Sequence, residues 1–163
     1  MIKFFQNLSA GLNRRVEVLL FAMGFTMTLI VVVQVFSRYV LNHSLFWSEE
    51  LARYLLVWLT FMGTSVAYHK GVHPGVDVCF IRLSPWWQRV ATVGIHIVSL
   101  FLFGVMVVKG AAFAWFIRLQ ISPALSLPKW VIMGIVPLAG AVLMVHGVRF
   151  LLDAIQGNGK NHK

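Results

Sequence analysis

The sequence is poor in charged residues, poorest of all in acidic ones, and has almost no cysteine. Only 12% of its 163 residues are charged, whereas a soluble domain usually carries about 25%. Five acidic residues stand against 14 lysines and arginines. The single cysteine, Cys79, excludes an intramolecular disulfide. An ordinary soluble domain and a disulfide-stabilised domain are therefore both poor fits to this composition.

Long apolar runs take the place of the missing charge, and 59% of the residues are hydrophobic. About 20 such residues cross the roughly 30 Å hydrocarbon core of a bilayer. A helix satisfies its own backbone there, whereas barrel strands would alternate apolar and polar residues, which these runs do not. We therefore predict an all-α integral membrane protein with four transmembrane helices. Their predicted bounds are about 16–40, 45–69, 86–118 and 128–153.

The two ends of the chain are more polar than its middle. Residues 1–15 predict a short interfacial segment, residues 16–156 the transmembrane domain, and residues 157–163 a disordered tail. Pro137 falls inside the fourth helix and is expected to kink it. Small residues four apart, Gly63 with Ala67 and Gly110 with Ala114, favour close helix packing.

The net charge of +9 lies at helix ends and does not form one patch. Nine basic residues fall in the N-terminal tail, the loop after the second helix with its flanks, and the C-terminal tail: Lys3, Arg14, Arg15, Lys70, Arg82, Arg89, Arg149, Lys160 and Lys163. Only five lie elsewhere: Arg38, Arg53, Lys109, Arg118 and Lys129. Because positive loops stay inside, both termini are predicted to be cytoplasmic. The expected partner of this charge is anionic lipid, and no nucleic acid is expected.

Glu49, Glu50 and Arg53 stand where the second helix begins, directly before its apolar run. Carboxylates in a first turn complement the helix dipole, and Arg53 is spaced to pair with either of them. Arg38, which ends the first helix, and Gln34 extend the cluster across the hairpin. These residues are interpreted as a cluster of opposite charges that neutralise one another and fix the hairpin, as a surface for a protein partner, or as both. Without an accompanying nucleophile or metal cluster, a catalytic carboxylate pair is not expected.

Two further features concern the second helix and the loop after it. Ser44 or Ser48 is expected to cap the start of this helix. His69, His73, Asp77 and Cys79 follow its end with the spacing of metal ligands on a helix. The glycines and the proline between them predict a loop instead, so no metal site is expected.

His96 and His146 lie inside the third and fourth helices. Such histidines hydrogen-bond to a neighbouring helix, mark a partner contact, or serve as axial ligands of a haem. The chain has no central intramembrane carboxylate and no inverted repeat, which are features of transporters that work alone. The residues by themselves therefore favour an accessory membrane subunit that is not an enzyme.

Two longer stretches carry a family resemblance over residues 34–140. QVFSRYVLNHSLFWSEELARYLLVWLTFMG, followed by GVHPGVD, resembles the small DctQ-type membrane subunit of tripartite ATP-independent periplasmic (TRAP) transporters. Its matching positions are Arg38, Tyr39, Trp47, Glu49, Glu50, Arg53, Gly71, His73 and Asp77. SPALSLPKWVIMGIVPLAG matches at the start of the fourth helix, through Leu127, Pro128, Trp130 and Pro137. The chain departs from the family pattern at Pro74-Gly75.

The resemblance implies a four-helix scaffold subunit in a bacterial inner membrane, with no active site, metal or cofactor of its own. Its implied partners are membrane lipids, a large elevator-type membrane subunit and a periplasmic substrate-binding protein. The complex would import an organic acid, such as a C4-dicarboxylate or sialic acid, with sodium. On the topology predicted from the basic residues, Glu49, Glu50, Arg53 and Arg38 would lie at the periplasmic surface. The alternatives are a small haem-b anchor that uses His96 and His146, and a standalone structural membrane protein.

Overall fold

The structure, a computed structural model, describes residues 2–70 and 84–155. Its helices are α1 (Ile2–Tyr39), α2 (Phe46–His69), α3 (Pro85–Phe116), α4 (Lys129–Met133) and α5 (Ile135–Ile155). Within the described residues there is no strand, only one isolated bridge between Ile121 and Pro128. The predicted all-α class is confirmed. The loop motif of Gly71, His73 and Asp77 and the predicted tail 157–163 lie outside the described residues.

Three described helical segments are long and apolar enough to cross a membrane: Gln6–Tyr39, Trp86–Phe116 and Lys129–Ala154. The third combines α4 and α5. The predicted second span, about 45–69, corresponds to α2 and is not among these three segments. α2 has 24 residues, but it carries Glu49, Glu50 and Arg53 near its start and so is less apolar. The structure thus supports a helical membrane protein with three membrane-competent segments.

α1 is one continuous helix of 38 residues, which corresponds to a length of about 57 Å. The residues predicted as a separate interfacial segment continue into it without a break. Its charge-free part, residues 18–37, is long enough for the hydrocarbon core of a bilayer. Residues 2–17, which include Arg14, Arg15 and Glu17, therefore extend beyond that apolar part.

α5 is the central helix of the described bundle. It packs most extensively against α3 and also contacts α1 and α2, while α1 packs mainly against α2. One face of α5 is almost completely buried by these neighbours, through Ile135, Ala139, Leu143 and His146. This spacing of three to four residues places the four side chains on one side of the helix. The buried histidine on that stripe brings a polar group into the centre of the bundle.

Small residues allow α3 and α5 to approach closely. A Cβ added to Gly110 would lie 3.0 Å from Val136 Cγ1, and one added to Gly140 would lie 3.1 Å from Met106 Cβ. The predicted close packing at Gly110 is confirmed. At Gly63 an added Cβ would meet no atom of the described residues within 4 Å, so close packing there stays a prediction. The small-residue pattern alone does not reveal which helix face has a neighbour.

The ends of two helices depend on local backbone chemistry. α2 begins at Phe46 after the N-cap residue Leu45, with no side-chain cap. The predicted serine cap is wrong, since Ser48 Oγ instead donates to the Leu45 carbonyl oxygen at 2.6 Å. The predicted fourth helix is divided at Gly134, one turn before Pro137. Pro137 has no N–H to donate to the Met133 carbonyl oxygen, which explains the break at this point.

Candidate functional site

The hairpin between α1 and α2 brings part of the predicted polar cluster together. Ser37 Oγ donates to the His43 carbonyl oxygen at 2.6 Å, and Asn42 takes a positive φ of 50° in the turn. Across this hairpin Gln34 Nε2 donates to Glu49 Oε1 at 3.1 Å. Arg38 lies 3.9 Å from the same oxygen, and both ionic side chains are half exposed. Glu49 therefore joins the end of α1 to the start of α2.

Glu50 faces a different part of the molecule. Its Oε2 accepts hydrogen bonds from the backbone N–H groups of Ala124 at 2.8 Å and Leu125 at 3.0 Å. Its Oε1 accepts a hydrogen bond from the Tyr54 hydroxyl. The bond from Tyr54, followed by those from the two backbone amides, lowers the pKa of the Glu50 carboxyl below its usual value. Glu50 thus ties α2 to the turn before α4, a contact that no sequence motif indicated.

The turn that Glu50 holds, residues 120–129, carries the second family stretch. It is closed by backbone bonds from Ser122 N to Leu127 O at 2.9 Å and from Lys129 N to Gln120 O at 2.8 Å. Ser126 adopts a positive φ of 54° inside it. Pro128 is the N-cap residue of α4. Two adjacent glutamates therefore organise two different connections at the same end of the bundle.

The remaining predicted residues at this end lie on the surface. Tyr39, Trp47, Leu127 and Trp130 are exposed. Arg53 is also exposed and forms no ion pair with any residue that the structure describes. These side chains are accessible for contact with a partner or with lipid headgroups.

A second polar cluster, which the sequence did not predict, lies at the opposite end of α2. Ser9 Oγ lies 2.7 Å from His146 Nδ1 and 3.0 Å from His69 Nδ1. The guanidinium of Arg149 lies 3.4 Å from both Ser9 Oγ and His69 Nδ1. Ser9 and His146 are completely buried. This cluster therefore joins α1, α2 and α5 around the completely buried Ser9 and His146, with His69 and Arg149 partly buried beside them.

Ion pairs surround this buried cluster. Arg149 pairs with Asp153 at 3.7 Å, and Gln6 donates to the same carboxylate at 3.3 Å. Lys70 pairs with Glu17 at 2.7 Å. Because these bonds connect α1 to the end of α2 and to α5, they fasten the first turns of α1 to the bundle.

His96 and His146, paired by the sequence analysis, have different neighbours. The His146 ring lies 4.8 Å from the His69 ring, whereas the His96 ring stacks on Phe150 at 5.8 Å. His96 Nδ1 is 3.3 Å from the Tyr68 hydroxyl. Among the described residues, no three His, Cys, Asp or Glu side chains are grouped as a metal site would need.

An apolar groove runs beside the Glu50 contact, with a volume of about 330 Å³. α1, α2, α4 and the turn before α4 supply its lining: Leu19, Met23, Leu51, Tyr54, Leu55, Trp58, Leu127, Val131 and Ile132. No charged side chain lines it. A surface of this kind suits hydrocarbon and lacks the convergent polar groups of a small-molecule site.

Together these features define a class: a helical membrane protein whose polar side chains join helix ends and whose long helices expose apolar faces. The profile of one family, described as tripartite ATP-independent periplasmic transporters, DctQ component, matches residues 27–157. The chain belongs to this family. The predicted family is confirmed, as is the prediction that the protein is not an enzyme, because the relatives are transporter subunits.

Three similar proteins illustrate the match. A provisionally named TRAP transporter small permease protein of Haemophilus influenzae is 31% identical over 52% of this chain and 53% of its own length. The C4-dicarboxylate TRAP transporter small permease protein DctQ of Rhodobacter capsulatus is 29% identical over 61% of this chain and 45% of its own length. The isethionate TRAP transporter permease protein DctMQ of Oleidesulfovibrio alaskensis is 27% identical over 66% of this chain and 17% of its own length. The chain spans about half the length of the first two relatives.

Proposed function

We propose that this chain is the small scaffold subunit of a sodium-coupled TRAP transporter that imports an organic acid. It holds a large elevator-type membrane subunit, which carries the substrate and sodium sites, and a periplasmic protein delivers the substrate. The observation that carries the proposal is the family match over residues 27–157. The names of two relatives, which include C4-dicarboxylate and isethionate, support a small organic anion as substrate.

The match to the isethionate permease supports the proposal that this chain works with a separate large membrane subunit. Two thirds of this chain aligns with 17% of that protein, so the permease is several times longer than the region that this chain resembles. We infer that the functions of the remaining length belong, for this chain, to a separate membrane subunit.

The proposed topology has four crossings and cytoplasmic termini in a bacterial inner membrane. α2 follows α1 after a short hairpin and packs along it, so it returns through the layer that α1 crosses. Its polar side chains Ser48 and Ser65 are buried against neighbours, which explains how a less apolar helix is tolerated. The basic residues Arg14, Arg15 and Lys70 lie at the same end of these two helices, in agreement with the positive-inside rule.

On this topology the Glu49 and Glu50 contacts lie at the periplasmic end. Glu50 fixes the turn before α4, and Glu49 fixes the hairpin, so the two set the shape of the surface that meets the large subunit and the binding protein. Replacing both glutamates by lysine is expected to impair assembly or uptake. Normal uptake by a fully assembled double variant would contradict this role.

The decisive experiment purifies the tagged chain from its native host in a gentle detergent and identifies the bound proteins by mass spectrometry. We expect a stoichiometric membrane permease with many helices. Deletion of the chain should abolish uptake of the labelled organic anion, and removal of external sodium should do the same in the wild type. Recovery of the chain alone would refute the scaffold function and favour a standalone structural protein.

The haem-anchor alternative is not favoured. His146 lies beside His69, and His96 is stacked on Phe150, so each histidine of the proposed haem pair is engaged separately. The relatives are transporter subunits. A Soret absorption band that co-purifies with the chain would reverse this assignment.

A further inference from the structure

One lysine interrupts the apolar runs of the transmembrane segments. Residues 18–37 of α1, 54–69 of α2 and 130–148 of α4 and α5 contain no lysine, arginine, aspartate or glutamate. In residues 90–116 of α3, Lys109 is the only such residue. A charged side chain inside a membrane segment is costly, and it usually faces the bundle interior, a water-filled cavity or a partner.

Lys109 does not face the interior of this bundle. The buried side of α3, with Phe103, Gly110 and Ala114, packs against α5, while Lys109 is exposed. It forms no ion pair with any described residue. Helical spacing of three and four residues places it in one exposed stripe, here called the Lys109 face: Val98, Leu102, Val105, Lys109, Phe113 and Phe116. Val98 is 68% and Phe116 79% exposed.

The position of Lys109 along α3 keeps its charge away from the nearer surface. Trp115, which the Arg118 guanidinium covers at 4.4 Å, is expected to lie at the headgroup level at that end of the helix. Lys109 lies six residues earlier, which is about 9 Å deeper along the helix axis. Because Cα–Cβ bonds tilt toward the helix N-terminus, the side chain starts in the direction away from that surface. Lipid headgroups are therefore a poor partner for its ammonium group.

We propose that the Lys109 face of α3 binds a transmembrane helix of the large membrane subunit, which presents a carboxylate at the depth of Lys109. This rests on the proposed function and adds which helix makes the contact. An apolar helix with one carboxylate complements both the apolar stripe and its single cation. The exposed side chains of the apolar run of α1, residues 18–37, include no such charge and suit lipid.

Site-specific photo-crosslinking in native host membranes tests the contact. A benzophenone amino acid is placed at Val105 or Phe113, on either side of Lys109, and at Phe21 or Phe25 of α1 as matched exposed controls. The cross-linked products are identified by mass spectrometry. We expect positions 105 and 113 to capture the membrane permease and positions 21 and 25 to capture phospholipid. Capture of phospholipid alone at 105 and 113, in a complex that still contains the permease, would overturn the proposal.

Charge variants test the role of the ammonium group in the same complex. Lys109→Met should reduce permease recovery at least about tenfold, because it leaves a buried partner charge unpaired. Lys109→Arg, which keeps the charge, and Arg15→Met, which removes an exposed cation elsewhere, should retain most of it. Undiminished recovery with Lys109→Met would refute the charge pair. If the wild type itself recovers no permease, the proposed scaffold function fails. If the wild type recovers the permease and Lys109→Met recovers as much, only the proposal for Lys109 fails.

Discussion

Replacing Gly140 by alanine is expected to destabilise the protein, although alanine is the better helix former. The new Cβ would lie 3.1 Å from both Met106 Cβ and Val107 Cγ2, and 3.2 Å from the Val107 backbone nitrogen. Favourable carbon contacts lie at about 3.5–4.0 Å. Met106 Cβ and the Val107 nitrogen move only with the α3 backbone. α3 and α5 must therefore separate by a few tenths of an ångström.

The size of this effect follows from two opposing contributions. Overpacking costs about 1–3 kcal/mol, while alanine in place of glycine inside a helix gains about 0.5–1 kcal/mol. Gly104→Ala is the matched control on α3, because its Cβ would meet no atom within 4 Å. The propensity gain is common to both variants and cancels in the comparison. Gly140→Ala should thus be about 1–3 kcal/mol less stable than Gly104→Ala.

The free energy of unfolding can be measured for each variant in mixed micelles titrated with a denaturing detergent and followed by tryptophan fluorescence. The wild type and Gly104→Ala should differ only slightly, with the alanine variant the more stable. Equal stabilisation by both substitutions would show that α3 and α5 do not pack at the distance described, and the reasoning would fail.

Three further predictions concern the polar contacts. Ser9→Ala leaves the buried His146 Nδ1 without its hydroxyl partner and should cost about 1–3 kcal/mol in the same unfolding assay, whereas Thr26→Ala, at an exposed site, should cost little. Glu50→Ala should make the turn at residues 120–129 more susceptible to limited proteolysis, while Glu49→Ala should not; equal cleavage would contradict the separate roles of the two glutamates. Because the pKa of Glu50 is lowered, its stabilising contribution is present above the usual carboxyl pKa and is lost as the pH falls through the lowered value. Glu50→Gln should reduce this loss in unfolding measured across acidic pH, and an unchanged profile would refute the assignment.

Glu49 and Glu50 show which contacts can be predicted from local sequence and which cannot. Their position before an apolar run correctly indicated the start of a helix, and the pairing of Glu49 with Arg38 and Gln34 across a short hairpin could be expected. The contact of Glu50 with the amides of Ala124 and Leu125 could not. It joins segments more than 70 residues apart, and no local periodicity reports on such a distance.

The contacts of the histidines inside the bundle also could not be predicted from local sequence. The sequence paired His96 with His146 because both lie within apolar helices, but the structure places His69 and Ser9 beside His146. Ser9 was assigned to a separate surface segment, since the sequence does not show that α1 continues through residue 15. Likewise Gly63 and Gly110 carry the same small-residue signal, but only at Gly110 would an added Cβ touch another described helix.

The sequence by itself determined the helical class, the excess of basic over acidic residues and the family. These properties depend on hydrophobicity, on helix-breaking residues and on motifs that are local in the chain. Only the tertiary structure decided that α5 is central among the described helices, that Glu50 holds the turn before α4, and that Lys109 is exposed on a face that no described residue covers. The physical reason is that the rotation and pairing of helices depend on side-chain packing among all of them at once, which no single apolar run encodes.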